Sequence, residues 1–209
     1  MKILILGATG GVGRHLVEQA VANGHDVSVV CRDVRRIPTG WPVTPHRLDL
    51  SIATSAELAV AVAGTDAVVS ALGHRSKSDR GVLGRSAETV VGAMWEAGVR
   101  RFIGISAAPL APAEDFTARY LMMPIVKRAF AEVYRDTADM EAVLREAQVD
   151  WTVVRPPRLT NHRLTGTYRT AFDRNLRHGR SIGRADLAQF MLAAISEGAT
   201  IGHAIGIAY

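Results

Sequence analysis

Cysteine is almost missing, since Cys31 is the single one in 209 residues. A lone thiol closes no internal disulfide, which excludes a disulfide-stapled secreted scaffold. Cys31 itself, at a strand end, is expected to be a buried small hydrophobe. No apolar run reaches the about 18 residues that a membrane span needs. No charged segment followed by a cleavable apolar stretch precedes Lys2, so a cytoplasmic protein without a membrane anchor is expected. Repeats, linkers and low-complexity stretches are also lacking, and the length fits one α/β domain over 1–209 better than two. His15, His25, His46, His162, His178 and His203 show no metal-ligand spacing, so no metal is expected. The net charge is +5, and arginines gather late, from Arg155 to Arg184. No recognisable nucleic-acid module accompanies them, and nucleic acid is not an expected partner.

Strand-like and helix-like segments alternate from the start. Lys2–Leu6, Asp26–Cys31, residues 46–48, 67–72, Arg101–Ile105 and 151–154 read as strands. Residues 11–23, 54–63, 86–97 and much of 116–147 have helical spacing, with Thr54 and Glu57 at capping-box distance. Beyond Pro156-Pro157 the pattern loosens into a possible strand at 166–172, a helix at 184–196 and an apolar tail at 204–208. Continuous apolar strands between amphipathic helices imply a mainly parallel sheet covered on both faces, a doubly wound Rossmann fold. The part from about 155 to 209 is expected to complete the substrate side of that domain.

The strongest motif is Gly7-Ala8-Thr9-Gly10-Gly11-Val12-Gly13, between the first strand and the first helix. In that setting Gly7 allows a tight turn, Gly10 a close approach to a pyrophosphate, and Gly13 close packing of helix on strand. The amide groups at the helix start then face the phosphates. At the tip of the second strand stands Cys31-Arg32-Asp33-Val34-Arg35-Arg36. Arg32 and Arg36 suit a ribose 2′-phosphate through charge-assisted hydrogen bonds, which favours NADP(H) over NAD(H). Asp33 keeps the other cofactor open, because an acid at the strand tip binds a free 2′-hydroxyl.

The turn, the CRDVRRIP segment, AVVSALG at 67–73 and the RPPRLT…LTGTYR stretch at 155–169 together resemble the atypical short-chain dehydrogenase/reductase group. Within it they resemble the NAD(P)H-binding family that includes NmrA-like proteins and the biliverdin-IXβ reductase–flavin reductase type. Asp186-Leu187-Ala188-x-Phe190-Met191 adds to the likeness, which covers nearly the whole chain. The resemblance implies that Thr9, Gly10, Gly11 and Val12 cradle the pyrophosphate and that Arg32, Arg35 and Arg36 meet the 2′-phosphate. It places Asp49 and Leu50 by the adenine, and Leu72 and Gly73 under the cofactor. It puts Ser106 beside the nicotinamide, with Pro156, Pro157, Arg158 and Leu159 bordering the carboxamide. Arg75 matches an arginine at the reductase substrate mouth. Two departures touch the substrate side: Arg158 replaces a histidine, and the stretch from Ser106 to Leu144 is longer, with a candidate lid at 116–124.

Typical short-chain dehydrogenases use a Tyr-x-x-x-Lys pair. Here Tyr120 precedes Pro124, Tyr134 precedes Ala138, Tyr168 precedes Phe172, and Tyr209 is the last residue, so the pair is absent. Hydride transfer to an electron-poor ring needs no such pair, because the cofactor carries the hard chemistry. Ser106 is the candidate for orienting the acceptor or the nicotinamide, and His74 is a weaker candidate proton donor. The expected activity is NADPH-dependent reduction of a flat conjugated acceptor of flavin, bilin or quinone type. The alternative is an NmrA-like sensor that binds NADP(H) without turnover. Monomer and dimer both remain open.

Overall fold

Side chains alternate between two buried faces in every central strand. In β1 (Lys2–Leu6), Ile3 and Ile5 pack on one side and Leu4 and Leu6 on the other, all four with no exposed surface. A strand buried on both faces has to read as a continuous apolar run, and β1 does. The computed structural model describes residues 1–73, 81–110 and 131–209. The expectations for His74, Arg75 and the 116–124 segment lie outside the described residues.

The further strands are β2 (Asp26–Cys31), β3 (Val43–Arg47), β4 (Ala67–Ser70), β5 (Arg101–Ile105), β6 (Asp150–Arg155), β7 (Arg158–Thr160), β8 (Arg169–Phe172), β9 (Ser181–Gly183) and β10 (His203–Ala208). Eight of them form one sheet in the order β3-β2-β1-β4-β5-β6-β10-β8. Every pairing in it is parallel except β10 with β8. The chain therefore belongs to the doubly wound α/β class expected from its alternation, with the order reversing between β1 and β4.

The helices among the described residues are α1 (Gly11–Ala22), α2 (Ser55–Val62), α3 (Val82–Ala97), α4 (Ala131–Glu146) and α5 (Arg184–Ala193). One face of the sheet is covered by α1 and α5, whose Leu16, Val17, Leu187 and Met191 meet Ile3, Ile5, Val27 and Val69. The other is covered by α2, α3 and α4, through Leu58, Met94 and Leu144. None of these helices is long and apolar enough to cross a membrane.

Boundaries depart from the sequence reading where distant groups decide them. The third strand starts at Val43 rather than at residue 46. It is an edge strand, mostly exposed and interrupted by Pro45, so it lacks an apolar run. Helix α3 starts at Val82, four residues before the expected 86. Gly81 and Gly84 argue against a helix there, yet the buried Asp136 carboxylate of α4 accepts from the Leu83 and Gly84 amides at 3.1 and 2.9 Å. That carboxylate caps the helix from another element. Helix α5 ends at Ala193, short of 196. The three-residue strands β7 and β9, which pair with each other in parallel, were not foreseen. At α2 the Thr54–Glu57 capping box forms as expected, with both reciprocal bonds present.

Candidate functional site

The reversal point between β1 and β4 opens a crevice at the carboxyl ends of the strands. It holds a cleft of about 570 Å³, within the range of small-molecule sites. Gly7 and Thr9 form its floor at the end of β1. Cys31, Arg32, Asp33 and Arg36 line it after β2, Asp49 and Leu50 after β3, and Leu72 and Gly73 after β4. Eight positions proposed from sequence as cofactor contacts are thus brought together on one wall-and-floor arrangement: Gly7, Thr9, Arg32, Arg36, Asp49, Leu50, Leu72 and Gly73. Val82, Arg85 and Ser86 of α3 close the far side, which the sequence reading did not foresee.

Gly7 and Gly13 of the turn are fixed by contact with backbone. Gly7 has φ +78°, and a Cβ on it would stand 2.7 Å from the Ala71 carbonyl oxygen. A Cβ on Gly13 would stand 2.1 Å from the Gly7 oxygen. Gly10, whose amide donates to the Gly7 oxygen at 2.9 Å, is the N-cap of α1. Among the described residues no side chain caps that helix start, and no acid stands in its first turn. Its opening amides, at Gly11 and Val12, are therefore available to an anion, in contrast with the capped starts of α2 and α3.

Charge on the cleft wall is arranged in pairs. Arg35 takes up Asp33: its Nε donates at 2.9 Å, its Nη2 at 3.1 Å and its backbone amide at 3.1 Å. These side-chain and backbone hydrogen bonds hold the Asp33 carboxyl below its ordinary range. Arg35 itself is not part of the cleft lining, so the three-arginine cluster expected at the strand tip divides into Arg32 and Arg36 on the cleft and Arg35 beside it. Burial pushes Asp49 up, but the Ser51 hydroxyl at 2.8 Å, the Ser51 amide and the charge of Arg32 outweigh it and hold the carboxyl below its ordinary range. Arg32 also borders a neighbouring hollow of about 370 Å³ that includes Arg47, which pairs in register with Cys31. Cys31 is half-buried on the cleft wall rather than a core residue, because its strand ends there. Burial and the nearby Asp33 charge raise its thiol pKa.

Farther along the sheet edge, Ser106 follows β5 and Pro156, Pro157, Arg158 and Leu159 follow β6. The two loops are tied by bonds from the Ser106 amide to the Val154 oxygen (2.7 Å) and from the Ala108 amide to the Pro156 oxygen (3.1 Å). These five positions share the carboxyl-end level of the cleft but are not among its lining residues. Ser106 is buried, and its hydroxyl donates to Glu141 Oε1 at 2.5 Å. Arg155 grips the same carboxylate from Nε at 2.9 Å and Nη2 at 2.5 Å, and Arg145 adds a contact from the surface. Burial alone would raise the Glu141 carboxyl; hydrogen bonds from Arg155 and Ser106, with the charges of Arg155 and Arg145, hold it below the usual carboxylate range. The sequence reading missed Glu141 and Arg155 as partners. Their only signal was a charged residue at the end of β6, next to Pro156.

The late LTGTYR motif also gains a physical reason. Asp186, fully buried, accepts from the amides of Thr165 and Gly166 at 2.9 and 2.8 Å, from the Thr165 hydroxyl at 3.0 Å and from the Tyr209 hydroxyl at 2.6 Å. The motif's turn is therefore pinned to the start of α5.

Residues 7–198 match the protein family described as NAD(P)H-binding. The UPF0659 protein YMR090W of Saccharomyces cerevisiae is 26% identical over 205 residues, covering 93% of this chain and 87% of that protein. A Streptococcus pneumoniae protein proposed to be an NADH-flavin reductase superposes with TM-score 0.82 at 24% identity, over 100% of this chain and 99% of that one. A wide-type short-chain dehydrogenase/reductase of Veillonella parvula, solved in complex with NADP, superposes with TM-score 0.79 at 20% identity, over 100% and 94%. At these identities the two structures establish the shared fold.

Proposed function

The chain belongs to the NAD(P)H-binding family, and from that premise we propose that it is an NADPH-dependent reductase of a flat conjugated acceptor of flavin, bilin or quinone type. The observation that carries the reading is that Gly7 and Thr9 of the glycine turn line a cleft also walled by Arg32 and Arg36, with α1 starting directly after that turn. The amides of Gly11 and Val12 bind the diphosphate, and the guanidinium groups of Arg32 and Arg36 bind the 2′-phosphate. The bond between Asp33 and Arg35 supports this preference, because it draws the acid that would favour NAD toward a neighbouring cation. Asp49 and Leu50 flank the adenine.

When bound, the nicotinamide supplies a hydride to the acceptor ring, and a solvent proton completes the two-electron reduction. Ser106 orients the nicotinamide or the acceptor. Its hydroxyl proton is engaged with Glu141, so it serves there as an acceptor of a hydrogen bond rather than as an acid. Pro156, Pro157, Arg158 and Leu159 border the carboxamide, and the region 155–209 builds the substrate side.

Arg32→Ala tests the cofactor assignment. Loss of one charge-assisted contact, about 1.5–3 kcal/mol, should weaken NADPH binding by roughly 10–150-fold and leave NADH nearly unchanged in calorimetric titration. An equal loss for both would reject the 2′-phosphate role. Steady-state NADPH oxidation with flavins, bilins and quinones tests the activity. Tight NADPH binding with no turnover on any of them would point instead to a redox sensor.

A further inference from the structure

We infer that Arg184 is a clamp for the cofactor diphosphate, reaching from the last third of the chain across the first turn of α1. The inference rests on the dinucleotide reading above and extends it to a residue that the glycine motif does not contain.

Arg184 is the first residue of α5, directly after β9. Its side chain lies on Gly11, the first residue of α1. A Cβ on Gly11 would stand 2.8 Å from Arg184 Nε and 3.0 Å from its Cδ. The arginine thus occupies the space that a side chain at position 11 would fill, alongside the amides that open the helix. Its direction is fixed, because Nη1 donates to Asn161 Oδ1 at 2.6 Å. Asn161 follows β7 and Arg184 follows β9, and Thr160 pairs with Gly183 in the small parallel sheet. The register of that sheet therefore sets the arginine–asparagine pair. A bond from Gln19 Nε2 to the Ala185 oxygen at 2.9 Å ties α1 to the start of α5 on the same side.

The electrostatics point to an anion between these groups. A helix start carries partial positive charge, so a cation placed there is unfavourable. Arg184 stands at the start of its own helix and against the start of α1. Its hydrogen-bond partner is a neutral amide, the first turn of α1 contains no acid, and Asp186 in the first turn of α5 is engaged by Thr165, Gly166 and Tyr209. A diphosphate received on the Gly11 and Val12 amides would face the guanidinium and turn that repulsion into attraction. A guanidinium also matches two phosphate oxygens at once, which a lysine would not.

Arg184→Met keeps the apolar stem and removes the charge. In calorimetric titration it should weaken NADP⁺ and NAD⁺ alike, each by about tenfold or more. Adenosine 2′-monophosphate, which has the 2′-phosphate but no diphosphate, should bind as it does to the wild type. Asn161→Ala, which frees the guanidinium without removing it, should give a smaller loss of the same pattern. Unchanged affinity of Arg184→Met for both dinucleotides would overturn the inference while leaving the cofactor reading intact. A loss confined to NADP⁺ would overturn it as well, by moving the arginine to the 2′-phosphate. Failure of the wild type to bind either dinucleotide would remove the cofactor reading and the clamp together.

Discussion

Gly13→Ala should lose NADPH and NADH together, each by a factor on the order of 100 or more. The added Cβ would stand 2.1 Å from the Gly7 oxygen, 2.7 Å from the Gly7 carbonyl carbon and 2.8 Å from the Ala8 Cα. All three atoms are backbone, so no side chain can turn aside to make room. The start of α1 must retreat from the turn, and the amides that receive the diphosphate retreat with it. Overpacking of this kind costs about 1–3 kcal/mol of stability. The variant should therefore also melt at a lower temperature than the wild type. The contrast with Arg32→Ala is diagnostic, since that change should spare NADH. Calorimetry with both dinucleotides, alongside a thermal melt, checks the pair of effects. Wild-type affinity for both in Gly13→Ala would show that the turn is only structural.

Glu141→Gln should be the most destabilising change that leaves the side-chain shape intact. The carboxylate is buried and faces the equally buried Arg155 through two hydrogen bonds. Neutralising it leaves the Arg155 guanidinium with only the more distant charge of Asp173, a loss approaching about 3–5 kcal/mol. Denaturant unfolding at neutral pH measures it. The pH dependence has a definite sign. The folded carboxyl titrates below its ordinary value, held there by Arg155, Ser106 and Arg145 against the opposing effect of burial. Its stabilisation is therefore complete above the unfolded value, about 4.3, and is lost as the pH falls through the lower folded value. Glu141→Gln should remove that share of the acid slope. Pairing it with Arg155→Met should restore part of the stability, because the guanidinium that lost its partner is then gone as well. A loss under about 1 kcal/mol in the single variant would contradict the ion pair as drawn, since it would match an exposed pair.

Much of this architecture can be read from residues alone. β1, β2 and β5 have the expected bounds because most of their residues face two buried layers and leave a mainly apolar, β-branched run. The turn at Gly7 is legible because Gly7 and Gly13 meet backbone where the motif predicts a tight turn and close helix packing. What escaped the sequence depends on partners far along the chain. The early start of α3 is set by Asp136, about fifty positions away. Glu141 and Arg155 find each other only because α4 packs beneath the end of β6. The family resemblance implied Arg35 as a third phosphate ligand, and the side chain two residues before it engages its guanidinium. Cys31 looked apolar by type, but the end of its strand puts it on the cleft. Arg184 was one of many late arginines until the fold laid it on Gly11.

Titration of the wild-type protein with NADPH and NADH in a calorimeter tests the central claim most directly. The account predicts one cofactor per chain, tighter binding of the phosphorylated form, and a difference between the two that shrinks as salt screens the arginines. No heat with either dinucleotide would contradict it outright.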